Sequence, residues 1–222
     1  MEEIIIGIIG GTGKEGKGLA YRWARNGIKV LIGSRQQEKA ESAALFVNER
    51  LGFDGGVEGA INHDVADRAN IVVLTVPFSA HAAICEEISP FVQGKIVIDV
   101  TVPLVPPRVT KVQMPPAGSA TQEAQSIFGE NVKVVAAFQN ISYENLLNGE
   151  SIADCDVIVC GGDRSARDAV IDLVKKTGLN GWDGGPVENA VVVEGLTSIL
   201  IGLNKRYGTN SAGIRITGIP LE

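Results

Sequence analysis

Apolar runs of strand length alternate along this chain with segments whose apolar positions recur every three or four residues, from the first residues to about Asp183. Such alternation marks a parallel sheet covered by helices on both faces. The runs predict strands over Ile4–Ile9, Lys29–Gly33, Ile71–Thr75, Lys95–Val100, Lys133–Phe138, Val157–Cys160 and Asn180–Trp182, with a weaker one near Val57. The helical spacing predicts helices over Lys17–Asn26, Gln37–Leu51, Ala80–Ile88, Thr121–Phe128 and Ser165–Lys176, joined by short polar or glycine-containing turns. The expected class is α/β, a doubly wound, mostly parallel sheet.

Two segments break the rhythm. Pro103, Pro106, Pro107, Pro115 and Pro116 forbid a helix between 103 and 116 and predict a stiff, extended excursion. A helix from Val187 to Arg206 would be apolar on most sides, through Val191, Val192, Val193, Leu196, Ile199, Leu200, Ile201 and Leu203. It must lie in the core or at a subunit interface, and a homodimer or higher homo-oligomer would supply the cover. Glu194 within it needs a partner or an exposed edge, and structural pairing is the simpler expectation.

Composition narrows the picture. The chain has 222 residues, enough for one large domain or for a domain with a small companion, and its 45% hydrophobic and 21% charged residues exclude disorder as the main state. A net charge of −6 and 5% aromatics argue against nucleic acid, which needs a basic face or stacking platforms. Met1-Glu2-Glu3 lacks the basic region of a secretion signal, and Glu188, Asn189, Glu194 and Asn204 interrupt the longest apolar stretch. No membrane partner and a cytoplasmic location are therefore expected. Cys85, Cys155 and Cys160 have no metal-ligand spacing and are odd in number, and the histidines are His63 and His81 alone, so neither a metal site nor a disulfide framework is expected. The cysteines read as small buried hydrophobes.

The most informative chemistry lies between the first strand and the first helix, in Gly7-Ile8-Ile9-Gly10-Gly11-Thr12-Gly13-Lys14-Glu15-Gly16. Gly11, Gly13 and Gly16 form G-x-G-x-x-G, the phosphate turn of a Rossmann-type βαβ unit. Gly11 would permit the sharp turn, Gly13 the approach of backbone to a pyrophosphate, and Gly16 close helix–strand packing; amides of the helix start, around Thr12, Lys14 and Glu15, would bind the anion. A tight βα turn without a ligand is the plainer alternative for the glycines alone. The next strand ends at Gly33-Ser34-Arg35, where an NAD site would place a carboxylate on the ribose 2′-hydroxyl. A Ser34 hydroxyl and an Arg35 guanidinium suit a 2′-phosphate instead, so NADP(H) is expected. Lys39, one turn later, either adds to that charge or is plain surface. Thr75, Val76 and Pro77, at a later strand end, should line the cofactor's path, or else merely end the strand with Ser79 as the following N-cap. His81 falls in the first turn of that helix, whose positive dipole end would favour a neutral imidazole able to handle a proton beside the cofactor, although a histidine there is more often a packed or surface residue.

Taken together with Leu74-Thr75-Val76-Pro77-Phe78, Pro103-Leu104-Val105-Pro106, Val159-Cys160-Gly161-Gly162-Asp163, Asp183-Gly184-Gly185-Pro186 and Val193-Glu194-Gly195-Leu196-Thr197, these motifs resemble the NADPH:coenzyme F420 oxidoreductase family, the F420-dependent NADP reductases, over nearly the whole chain. The resemblance implies a Rossmann domain over residues 1–150 and a small C-terminal domain over 151–222 that completes a cleft and supplies a subunit interface. It implies that Thr12, Ser34, Arg35 and Val76 contact NADP, while Pro103, Leu104, Val105 and Pro106, with Phe138, Gln139, Asn140 and Ile141, face the deazaflavin. Some members carry a histidine in that last loop; here Gln139 and Asn140 stand there, and backbone amides would serve instead. The implied reaction is direct, reversible hydride transfer between the nicotinamide C4 and the deazaflavin C5, so the protein positions two cofactors and no catalytic acid or base is nominated. Another NADPH-dependent small-molecule reductase, or a non-enzymatic NADPH sensor, would share the glycine turn. A second cavity beside the nicotinamide site distinguishes the enzyme from the sensor.

Overall fold

The computed structural model describes residues 4–53, 56–147 and 155–220, and the expected domain boundary at 150/151 lies outside them. The chain runs β1 (Ile5–Ile9), α1 (Lys14–Arg25), β2 (Lys29–Ser34), α2 (Gln37–Leu51), β3 (Val57–Ile61), α3 (Asn62–Arg68), β4 (Ile71–Leu74), α4 (Phe78–Ile88), β5 (Ile96–Asp99), α5 (Ala120–Phe128), β6 (Lys133–Ala136), α6 (Tyr143–Leu147), β7 (Asp156–Gly161), α7 (Arg164–Thr177), β8 (Asn180–Gly185) and α8 (Ala190–Tyr207). The strands form one sheet in the order β3-β2-β1-β4-β5-β6-β7-β8. Pairing is parallel except between β6 and β7. The α/β, Rossmann-type, mostly parallel fold is therefore as the sequence predicts, and the strand order turns back at β1/β4, where such sheets open a crevice.

Period-two alternation sorts the strand residues between two helical layers. Ile6, Ile8, Val30, Ile32 and Val73 pack into one core with Trp23 of α1 and Val170 and Leu173 of α7. Ile9, Leu31, Val72 and Leu74 pack into the other, against Val65 of α3 and Ile84 and Cys85 of α4. Trp23 is fully buried, its indole N–H donating to the Leu173 carbonyl at 3.0 Å and its ring meeting Phe138 edge-on at 5.7 Å. Phe138 adopts φ 71°, the one positive φ at a non-glycine among the described residues. This strained turn carries the ring into the core just past β6 and turns the chain sharply before residues 139–141.

Several expectations need correction. α1 begins at Lys14 rather than Lys17, and α4 begins at Phe78 with Pro77 in the capping position, so Ser79 is not an N-cap. α3 and α6 were not expected as helices at all. α8 is long and apolar enough, by composition, to cross a membrane over Val187–Tyr207. In this fold Ala190, Val193, Glu194, Gly195, Ser198 and Leu200 are buried against the protein, while Val192, Ile199, Leu203 and Tyr207 are exposed. All three cysteines are free and buried.

Candidate functional site

Two cavities flank the start of α1 at the carboxyl edge of the parallel strands. The first, of about 230 Å³, is lined by Gly10, Thr12, Ser34, Arg35, Gln36, Lys39, Asn62, Val76, Pro77, Ala80 and Ile84. It brings together six residues expected at an NADP site: Thr12, Ser34, Arg35, Lys39, Val76 and Pro77. Its donor set suits a dianion, because it combines a hydroxyl, a guanidinium and an ammonium with no acidic side chain. Neither Arg35 nor Lys39 is held in an ion pair among the described residues. Asn62, which sequence reasoning did not single out, receives the Gly10 N–H on its Oδ1 at 3.4 Å and thereby backs the glycine turn.

Gly11, Gly13 and Gly16 shape the turn and, unlike Gly10, do not line the cavity. A Cβ on Gly16 would lie 2.5 Å from the Gly11 Cα, so the helix can approach the strand only with glycine there. The Gly11 N–H donates to the Gly33 carbonyl at 3.0 Å, tying the turn to β2. Gly13 occupies the N-cap of α1 in extended backbone. Lys14 reaches away to the Tyr143 hydroxyl at 3.0 Å, and Thr75 donates its hydroxyl to the Ile9 carbonyl at 3.1 Å.

The second cavity, of about 370 Å³, is mostly apolar, with walls that include Val100, Val102, Leu104, Phe138, Ile141, Leu200 and Ile201. Glu15, Gln139, Asn140, Tyr143 and Thr197 add polar groups. Of the deazaflavin-facing residues expected, Leu104, Phe138, Gln139, Asn140 and Ile141 are there; Pro103 is buried and Val105 and Pro106 are exposed, and none of these three lines it. Two polar atoms on this wall, Glu15 Oε1 and Gln139 Oε1, are buried without a hydrogen-bond partner. Orphaned polar atoms beside an apolar cavity suit a flat heteroaromatic ring with its own polar edge.

A curated F420-dependent NADP reductase of Methanocaldococcus jannaschii is 38% identical to this chain, over 97% of this chain and 99% of its own. The chain belongs to the F420-dependent NADP reductase family. A second F420-dependent NADP reductase, from Methanothermobacter thermautotrophicus, is 40% identical over 97% of this chain and 95% of its own. The family described as NADP oxidoreductase coenzyme F420-dependent matches residues 5–103. A solved structure from Arthrobacter sp. FB24, described as an F420-dependent NADP-reductase, superposes with a TM-score of 0.80 at 25% identity, covering 98% of this chain and all of that one.

In this member of the F420-dependent NADP reductase family, His81 is a packed histidine and not a cofactor contact. It is fully buried, lines neither cavity, and has both ring nitrogens engaged, Nε2 with Asp99 at 2.8 Å and Nδ1 with Glu123 at 3.0 Å. Burial works to lower its pKa, but hydrogen bonding to Asp99, with Cys85 and the Asp99 charge adding to it, raises it to about 11. The expected neutral, proton-handling imidazole is therefore an imidazolium inside an ion triad. Asp99 and Cys85 together outweigh the cost of burying the cation. Glu194 is paired as expected: its carboxyl accepts from the Ala120 and Thr121 N–H groups and the Thr121 hydroxyl, at 2.7, 3.0 and 2.8 Å, closing the start of α5.

Arg35→Ala should raise the dissociation constant for NADPH about 30-fold, equivalent to ~2 kcal/mol for a charge-assisted hydrogen bond, while leaving NADH nearly unchanged. Calorimetric titration with both nucleotides checks this. An equal loss for NADH would reduce Arg35 to a structural role.

Proposed function

We propose that this chain transfers a hydride between NADP(H) and the 8-hydroxy-5-deazaflavin coenzyme F420, reversibly. The observation that carries the reading is the pair of cavities with opposite chemistry on either side of one glycine turn. Thr12 belongs to the cationic cavity and Glu15, one helical turn on, to the apolar one. When bound, the two coenzymes supply the chemistry themselves, nicotinamide C4 and deazaflavin C5 exchanging the hydride directly.

The chain's own residues bind, orient and exclude water. The turn formed by Gly11, Thr12, Gly13, Lys14, Glu15 and Gly16 presents helix-start amides to the pyrophosphate. Ser34, Arg35 and Lys39 hold the 2′-phosphate, and Thr75, Val76 and Pro77 fix the path toward the nicotinamide. Leu104, with Phe138, Gln139, Asn140 and Ile141, frames the deazaflavin. His81 acts from behind, through Asp99, without touching either coenzyme. Residues 151–222 act as the small unit that completes the cleft, and the exposed Val192, Ile199, Leu203 and Tyr207 of α8 are the face through which a cytoplasmic homodimer forms. A sensor has no need of the second, open cavity, and that favours the enzyme reading over it.

Mixing the protein with NADPH and oxidised F420 should bleach the deazaflavin's visible absorbance, and supplying reduced F420 with NADP should restore it. Nucleotide binding without any bleaching would overturn the reading.

A further inference from the structure

A reversible exchange of this kind moves more than a hydride. Reducing the deazaflavin with NADPH delivers two electrons and one proton's worth of hydrogen to the ring carbon, and the conjugated ring nitrogen must then take up a proton. Nothing in the binding roles above supplies it, and His81 is sealed away in its triad.

Among the described residues, the ionisable side chains lining the apolar cavity are Glu15 and Tyr143. Tyr143 is already engaged, its hydroxyl receiving the Lys14 ammonium at 3.0 Å and donating to Glu144 at 3.2 Å. The cavity's other hydroxyls are also committed: Ser142 donates to the Asn210 carbonyl and Thr197 to the Gln139 carbonyl. Glu15 differs from all of these, since its Oε1 is closed off from solvent and has no partner. The charged groups of the elements packed around it are held elsewhere. Lys17 of its own helix lies over the Phe46 ring, Arg22 and Arg50 donate to carbonyls at 145–147, and Lys205 and Arg206 of α8 are exposed.

Resting on the hydride-transfer reading, we infer that the Glu15 carboxyl is the proton donor of the site. As hydride arrives from NADPH, the Glu15 O–H bond breaks and an N–H bond forms on the deazaflavin ring. The O–H electron pair stays on Glu15 as carboxylate, NADPH is oxidised, the deazaflavin is reduced, and solvent reprotonates Glu15 before the next turnover. In reverse, the carboxylate receives the ring proton while the hydride goes to NADP. Electrostatics supports this assignment. A glutamate in the first turn of a helix would ordinarily be favoured as carboxylate by the amide dipoles. Here burial without a counter-ion dominates and raises the Glu15 pKa to about 8. The neutral acid thus prevails at neutral pH, while the proton is still easily lost, the condition for efficient transfer in both directions.

The test uses Glu15→Gln, which keeps the shape and removes the proton. In the wild type, single-turnover reduction of F420 by NADPH should slow as pH rises past about 8, and the reverse reaction should speed up over the same range. In E15Q the forward rate near neutral pH should fall about 100-fold with both KM values little changed, and both pH limbs should vanish. A readout independent of turnover is the infrared difference between ligand-free wild type and E15Q. It should show a neutral carboxyl band that converts to carboxylate with a midpoint near 8. Normal NADPH binding confirms that the variant is folded, and Glu15→Leu gives a second variant that lacks the proton. A Glu15 band that is already carboxylate below neutral pH, or an E15Q pH profile like the wild type's, overturns the proton donor alone. A wild type that never bleaches F420 overturns the hydride-transfer reading and this inference with it.

Discussion

His81→Leu should lower the free energy of unfolding by about 3–5 kcal/mol, the cost of leaving a buried carboxylate without its cation. Asp99 is fully buried, with His81 against its Oδ2 at 2.8 Å. Glu123→Gln should cost much less, because that carboxylate is 26% exposed and water takes over part of the lost contact. Urea denaturation at constant m-value reads both effects. The pH dependence has a definite sign. His81 binds its proton more tightly folded, at about 11, than the ordinary 6.5. Its stabilisation is therefore complete below about pH 6.5 and drains away as pH climbs toward 11, and His81→Leu should flatten that slope. The damage should reach the apolar cavity as well. Asp99 accepts the Thr101 N–H on its carboxylate at 2.9 Å and the Gln139 side-chain amide on its backbone carbonyl at 2.7 Å, so two walls of that cavity are anchored on this residue.

Gly13→Ala and Gly16→Ala should separate binding from folding. A Cβ on Gly13 meets no protein atom within 4 Å, and the residue is in ordinary extended backbone at φ −72°. The alanine variant should lose roughly 0.5–1 kcal/mol of stability, the N-cap preference for glycine over alanine, yet bind NADPH about 100-fold more weakly because the methyl group occupies the approach to the pyrophosphate. At Gly16 the added Cβ would press on Gly11 Cα at 2.5 Å and Gly11 O at 2.7 Å, both backbone atoms that cannot swing aside. That variant should lose about 1–3 kcal/mol and NADPH binding together. Melting temperature and calorimetric Kd on the two proteins distinguish the cases. Unaltered NADPH affinity in Gly13→Ala would remove the pyrophosphate from that turn.

Local pattern made much of this molecule readable in advance. α2 runs from Gln37 to Leu51 as its spacing predicts, and Gly33-Ser34-Arg35 carries its chemistry within three consecutive residues. The failures share a cause in scale. α3 and α6 have 7 and 5 residues, too few for a 3.6-residue period to repeat convincingly. With α3 hidden, Asn62 was hidden too. The start of α1 was missed because Lys14-Glu15-Gly16 holds no apolar residue to set a phase. An apolar run does not state its direction, so the reversal of β7 against β6 could not be read from Val157–Cys160. The pairing and charge of the packed His81 were not legible because its partners are 18 and 42 residues away in sequence. The orphaned Glu15 carboxyl is likewise visible only once α1, α6 and α8 surround one cavity.

Asn140 donates its side-chain amide to the Val193 carbonyl and the Thr197 hydroxyl, and Thr197 in turn donates to the Gln139 carbonyl. This clasp fastens the exit of β6 to α8 across the ring cavity, with Asn140 nearly fully buried. For the evolution of new ring selectivity it works as a ratchet. Enlarging or reshaping the cavity by changing either side alone strands a buried polar group on the other. Variants that accept a different ring should therefore arise through linked substitutions at 140 and 197, and libraries that vary one position at a time should return mostly unstable proteins.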